Sequence, residues 1–164
     1  MPLPDMQRPS LPAIEYRLEF ADGHARTVYC TDHEEHFPDG HLIVSRVDTT
    51  GVITHANESF VRMSGYERAE LIGASHYILR HPDMPRAAFA DLWATVAAGN
   101  KWHGYVKNLR KDGASYWVYA TVIPNVRNGQ IAGYTSVRRK PSRRKVSEMT
   151  VAYAAMLEQE RTAS

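Results

Sequence analysis

Arg80, His81 and Asp83 stand together in a proline-framed stretch, Arg80-His81-Pro82-Asp83-Met84-Pro85. A guanidinium offers a rigid fork of donors suited to phosphate or carboxylate, and His81 could add a second hydrogen bond. The same residues also fit a structural role, with Arg80 paired to Asp83 and the loop pinned by that contact. His81 and Asp83 have the types of an acid–base pair, but no nucleophile or oxyanion donor lies nearby in sequence, so catalysis has weak support. Asn108 sits mid-strand, where Asn is disfavoured. Facing inward it would need partners, and a carboxamide can complement a heterocycle edge that presents one donor flanked by acceptors. Facing outward it would be an ordinary surface amide. Trp93 falls on the apolar side of a helical stretch, and Trp102 and Trp117 fall on strands. Such aromatics fill a core or wall a flat, mostly apolar ligand. Asn57 precedes a helical stretch and fits an N-cap.

Other chemistries have less to build on. There is no Gly-x-Ser-x-Gly elbow, no Walker loop and no His-Glu-x-x-His. His33 and His36, with Asp32, Glu34 and Glu35, form the densest metal-like cluster, but their spacing matches no ordinary zinc site and a solvated loop accounts for them. Cys30 is the only cysteine, so no intrachain disulfide can form. Lys and Arg total 20 against 18 Asp and Glu, a balance that leaves no nucleic-acid footprint over the whole chain. The basic run Arg138, Arg139, Lys140, Arg143, Arg144 and Lys145 reads as a solvated linker, with anionic lipid or RNA as the alternative partner. The N-terminus lacks the apolar core of a signal peptide, and no stretch is long and apolar enough to span a membrane.

The elements that must position these residues follow from periodicity and turns. Residues 1–12 read as a disordered tail. Ile14, Tyr16, Leu18 and Phe20 alternate with charged residues as in a strand, and a turn at Gly23 returns the chain through Thr27 to Cys30. Leu42 to Val47 and Val52 to His55 are two further strands. Short helices follow over Ala56 to Met63, Glu67 to Ile72 and Ser75 to Leu79. Pro85 fits the N1 position of a longer helix ending near Ala98, with Phe89, Leu92, Trp93 and Val96 on one face. Three strands come next, Trp102 to Arg110, Ser115 to Ile123 and Ile131 to Arg138. Their turns are at Lys111-Asp112-Gly113 and over Asn125 to Gln130. Val146 to Glu160 is an exit helix. Strands grouped before and after helices point to an α+β fold with an antiparallel sheet, and helices over one face can enclose a ligand pocket.

Several segments resemble the PAS domain of bacterial aerotaxis receptors: Ile53-Thr54-His55-Ala56-Asn57, Ser64-Gly65-Tyr66, Arg80 to Pro85, Ala88 to Trp93, Trp102 to Asn108 and Lys111-Asp112-Gly113 followed by Tyr116-Trp117-Val118. The resemblance covers about residues 36–140. It leaves residues 1–35 as an N-terminal extension with a possible hairpin and residues 141–164 as a linker and exit helix. It implies a PAS fold whose five-stranded antiparallel sheet has the order 2-1-5-4-3, with short helices over one face. It also implies bound FAD, held or read by Asn57, Arg80, His81, Asp83, Trp93 and Asn108. The function it implies is cytoplasmic sensing of redox state or oxygen supply rather than catalysis. The signal would pass to a signalling partner, a receptor or kinase-control module, or to a second protomer. Two other readings stay open, a haem-binding oxygen sensor and a cofactor-free interaction module. A blue-light receptor would need a cysteine beside the flavin, and Cys30 lies outside the resemblance.

Overall fold

The computed structural model describes residues 2–163. A two-stranded ribbon comes first, β1 (Ile14–Glu19) antiparallel to β2 (Ala25–Cys30). The main sheet uses β3 (Ile43–Val47), β4 (Ile53–Ala56), β5 (Trp102–Leu109), β6 (Ser115–Arg127) and β7 (Gln130–Arg139). Its order is β4-β3-β7-β6-β5, every pair antiparallel. Counted within the main domain, that is the expected 2-1-5-4-3. The crossover between β4 and β5 carries α1 (Glu58–Ser64), α2 (Arg68–Leu71), a 3-10 turn (His76–Leu79) and α3 (Arg86–Ala97). The exit helix is α4 (Arg143–Thr162).

Local chemistry explains the boundaries. Asn57 caps α1, its Oδ1 accepting the Phe60 N–H at 3.0 Å, and Gly65 ends it in the left-handed region. Pro85 stands at the N-cap of α3 rather than at N1. The β6–β7 turn is only Asn128-Gly129, both at positive φ. The strands therefore run further than expected, through Pro124. Trp102, the first residue of β5, pairs with Val122. Pro124 thus lies past the end of β5, where β6 has a neighbour on one side only and a missing N–H is tolerated.

Two expectations are corrected. Residues 2–12 are no disordered tail. Asp5 Oδ1 accepts the Thr27 N–H at 2.8 Å, Met6 N–H donates to the Thr27 carbonyl at 2.9 Å, and Met6 is buried. The tail is fixed because Arg26, 2% exposed, reaches inward and donates to the carbonyls of Pro4 and Ile78 and to the Tyr66 hydroxyl. The basic run is not one linker either. Arg138 lies buried on β7, and Arg143 onward begins α4, capped by Ser142.

The crossover helices cover one sheet face, with Ile43, Ile53, Phe60, Leu71, Tyr116 and Val118 in the core between. On the other face α4 packs Val146 and Tyr153 against Trp117 and Met84. The Tyr153 and Trp117 rings stack at 6.1 Å, and the Tyr153 hydroxyl donates to the Tyr105 carbonyl at 2.6 Å.

Candidate ligand-binding cavity

A cavity lies between the inward sheet face and the 3-10 turn with α3, holding about 740 Å³ of space including its mouth. Its floor is strand side chains, among them Ser45 and Val47 of β3, Val106 and Asn108 of β5, and Ser136 and Arg138 of β7. Its roof is Phe89, Leu92 and Trp93 of α3 with His76, Tyr77 and Arg80. None of the lining residues is acidic. Gly51 lets the roof close. Its φ is +86°, a Cβ there would lie 3.0 Å from the His76 ring, and its carbonyl accepts the His76 N–H at 2.9 Å.

The roof is aromatic and interlocked. The Trp93 edge meets Tyr134 at 5.6 Å and His76 at 5.1 Å, and Trp93 Nε1 donates to the Tyr77 hydroxyl at 3.3 Å. His76 is held neutral, its pKa lowered to about 3 by desolvation and then by the Arg138 and Arg80 charges.

Arg80 ends the 3-10 turn, and its backbone pairs with that of Asn108 as an isolated antiparallel bridge, tying roof to floor. Its guanidinium lies 4.6 Å from the Phe89 ring centre and donates to the Met84 carbonyl at 3.1 Å, while Nε is buried without a partner. Burial lowers its pKa. It does not pair with Asp83. Asp83 instead takes the Lys107 ammonium at 2.8 Å. Although burial would raise it, the Lys107 hydrogen bond and the His81 charge keep its carboxyl below the ordinary value.

The structure thus divides the six sequence-derived residues. Arg80, Trp93 and Asn108 meet in the cavity. Asn108 faces inward and is 7% exposed. His81 and Asp83 are not among the lining residues. His81 is 4% exposed, its Nδ1 accepts the Asp83 N–H at 3.0 Å, and burial followed by the Lys107 charge lowers its pKa to about 4. Asp83 and Lys107 border a second cleft against Thr150, Tyr153 and Leu157 of α4. Asn57 also lies outside the main cavity. Its amide is committed to the Phe60 and Val44 N–H groups and the Leu42 carbonyl.

The cavity also contains residues outside those six, His76, Tyr77, Phe89 and Arg138 foremost. Alternation on β7 would have found Arg138, since Tyr134, Ser136 and Arg138 share one face at period two. It was masked by the basic residues beside it.

A PAS-fold family model matches residues 53–138, just over half the chain. The chain belongs to the PAS-fold family. Within it, the chain is similar to the aerotaxis receptor of Escherichia coli strain K12, at 44% identity over 128 residues, 78% of this chain and 25% of that protein. The chain therefore spans about a quarter of that relative's length. Among solved structures, the PAS domain of a Colwellia psychrerythraea protein superposes with a TM-score of 0.56 at 24% identity, covering 61% of this chain and 86% of that one. A light-oxygen-voltage domain from a flavin-analogue study superposes with a TM-score of 0.55 at 21% identity, covering 75% of this chain and 87% of the other. These likenesses establish a PAS fold.

Proposed function

We propose that the chain is an FAD-binding PAS sensor that reads redox state or oxygen supply and passes it to a partner by conformational change. One observation carries the reading. The cavity combines an aromatic roof with two guanidiniums and an inward carboxamide, and no carboxylate lines it. Such a lining suits a flat, apolar ring with an acceptor-rich edge. The similarity to the aerotaxis receptor supports the same ligand.

Bound FAD would supply reversible electron and proton uptake at its ring. The protein's part is positional. Phe89 and Trp93 wall the ring, Arg80 offers its fork to a carbonyl or phosphate, and Asn108 presents both a donor and an acceptor to the ring edge. Asn108, able to donate and to accept, would re-pair its amide if the ring edge changed protonation. Asn108 sits on β5 and is bridged to Arg80, so its movement shifts strand and roof together. His81 and Asp83 act through the adjoining loop and the α4 side.

The output element is α4 or the N-terminal ribbon, acting on a signalling protein (a receptor or kinase-control module) or on a second protomer, in the cytoplasm. No helix among the described residues is long and apolar enough to cross a membrane. We read the chain as a sensor rather than an enzyme. Ser45 and Ser136, the serine hydroxyls of the lining, are not hydrogen-bonded to a base. Cys30 lies in the ribbon cluster with Met6, Val28 and Leu109, and burial raises its pKa to about 12, which leaves no reactive thiolate beside the cavity.

The test is the visible spectrum of the purified protein, followed by denaturation and chromatography of released cofactor. Flavin bands with intact FAD are the expected result, and Asn108→Ala should lower FAD content and abolish redox-dependent structural change. A Soret band would replace the reading with haem, for which His76 is the histidine at the cavity. A colourless protein that ignores added FAD would leave a partner-binding PAS module.

A further inference from the structure

Among the described residues, three buried side-chain polar atoms have no hydrogen-bond partner, Arg80 Nε, Arg138 Nε and the Tyr116 hydroxyl. All three belong to one neighbourhood. Arg80 and Arg138 line the cavity. Tyr116 pairs with Asn108 across the β5–β6 ladder, its hydroxyl close to the Asn108 amide, and is fully buried in the adjoining core. Tyr116 and Arg138 are near enough that each favours the charged form of the other. Native interiors satisfy nearly all such groups, so a cluster of exceptions marks a place where a ligand completes the bonding.

Arg138 is the sharpest case. It is 8% exposed, its Nη2 donates to the Ser45 hydroxyl, and its guanidinium lies 4.5 Å from the Phe60 ring centre. No carboxylate pairs with it. Burial lowers its pKa to about 10, so it stays charged at neutral pH. Anchoring Ser45 would stitch β7 to β3, but that role uses Nη2 alone and does not account for the orphaned Nε. A guanidinium only donates, so what completes it must carry lone pairs or negative charge.

We propose that Arg138 and Asn108, the latter backed from the core by Tyr116, form a polar subsite on the cavity floor that seats an electron-rich carbonyl edge of the ligand and favours negative charge there. This rests on the FAD reading, in which the edge is the pyrimidine side of the flavin ring. Asn108 matches the edge's donor and acceptors, and Arg138 sets its charge preference. A fixed donor-only cation strengthens its bond as electron density builds on the edge. Arg138 is therefore a specificity residue as well as a binding one.

The test uses the full chain and the variants Arg138→Met, Arg138→Lys and Tyr116→Phe, with circular dichroism to check folding. FAD affinity is measured by fluorescence on adding FAD to the stripped protein. The flavin reduction potential is measured against a reference dye during dithionite titration. Arg138→Met should weaken FAD binding about 10- to 100-fold, the scale of a lost charge-assisted hydrogen bond, and should lower the potential. Arg138→Lys, which keeps the charge without the fork, should fall between Arg138→Met and the parent in potential. If Arg138→Met binds FAD as the parent does with an unchanged potential, the subsite is overturned and the FAD reading stands. If the parent protein takes up no flavin, the FAD reading falls and this assignment with it. Should Arg138→Met fail to fold, parent-like affinity and potential in both Arg138→Lys and Tyr116→Phe overturn the subsite.

Discussion

Glu160 Oε2 accepts the backbone N–H of Ala87 at 3.0 Å, and its Oε1 accepts that of Arg86 at the same distance. Helix α3 starts after Pro85, which has no side chain able to cap it. The carboxylate that satisfies its first donors comes from the far end of α4, and a negative charge there suits the positive end of the helix. Those two N–H bonds and the Arg86 charge hold Glu160 below the ordinary carboxyl range against the opposing effect of burial. The cavity roof and the exit helix therefore share a joint. Glu160→Ala should destabilise the protein by about 1 kcal/mol, the usual worth of a cap. Hydrogen exchange should rise at both the last turns of α4 and the first turn of α3. Protection lost at only one of the two would refute the joint.

Gly104 lies under the Trp102 ring, and a Cβ on it would come within 2.2 Å of that ring. The ring is also tied to α3, since Trp102 Nε1 donates to Asp91 Oδ2 at 2.8 Å. Gly104→Ala must push the indole aside and break that bond. A loss of about 1–3 kcal/mol is expected in urea unfolding, with a shift in tryptophan emission. Unchanged stability would mean the ring is not held where it lies.

His81 predicts a pH dependence. Its Nδ1 is a hydrogen-bond acceptor in the fold, and burial and Lys107 lower its pKa to about 4, against an unfolded value of about 6.5. Between those values the unfolded chain binds more protons. Stability therefore falls as pH drops through that window, by up to about 1.4 kcal/mol per pH unit. The facing charges are Lys107, which adds to the effect, and Asp83, which opposes it. Asp83, itself lowered, loses its own contribution only below about pH 3.8, outside the window. His76 acts in the same direction as His81. His81→Gln should flatten the fall in urea midpoint between pH 7 and pH 5. An identical slope in the variant would show that His81 titrates normally.

Arg26 joins three separate segments through its bonds to Pro4, Tyr66 and Ile78. Arg26→Met keeps the stem and removes every donor, leaving two carbonyls and a hydroxyl short of partners. A loss of about 2–4 kcal/mol is expected, together with protease access to residues 2–12 at concentrations the parent resists. A variant as stable and as resistant as the parent would mean that Arg26 does not anchor the segment.

Local signals in the chain were legible where one residue's chemistry decides the outcome. Asn57 caps, Asn128-Gly129 turns, Pro85 starts a helix, and the strand order follows from the resemblance. Asn108 was readable as a question, inward or outward, that only the β5 register answers. What was not legible depends on contacts distant in sequence. Nothing near Asp83 tells that Lys107 rather than Arg80 would take its carboxylate. Nothing in residues 2–12 shows that a buried Arg26 would hold them. Arg138 was hidden for a different reason, because a charged run reads as solvated until alternation is counted along it.

The three tryptophans lie in three different places, Trp93 in the cavity roof, Trp102 at the seam of α3 and β5, and Trp117 beneath α4. The protein thus carries its own set of optical probes. Near-ultraviolet emission from variants that each keep a single indole would separate ligand arrival from helix undocking in time, without any attached dye, and so give the order in which the signal crosses the fold.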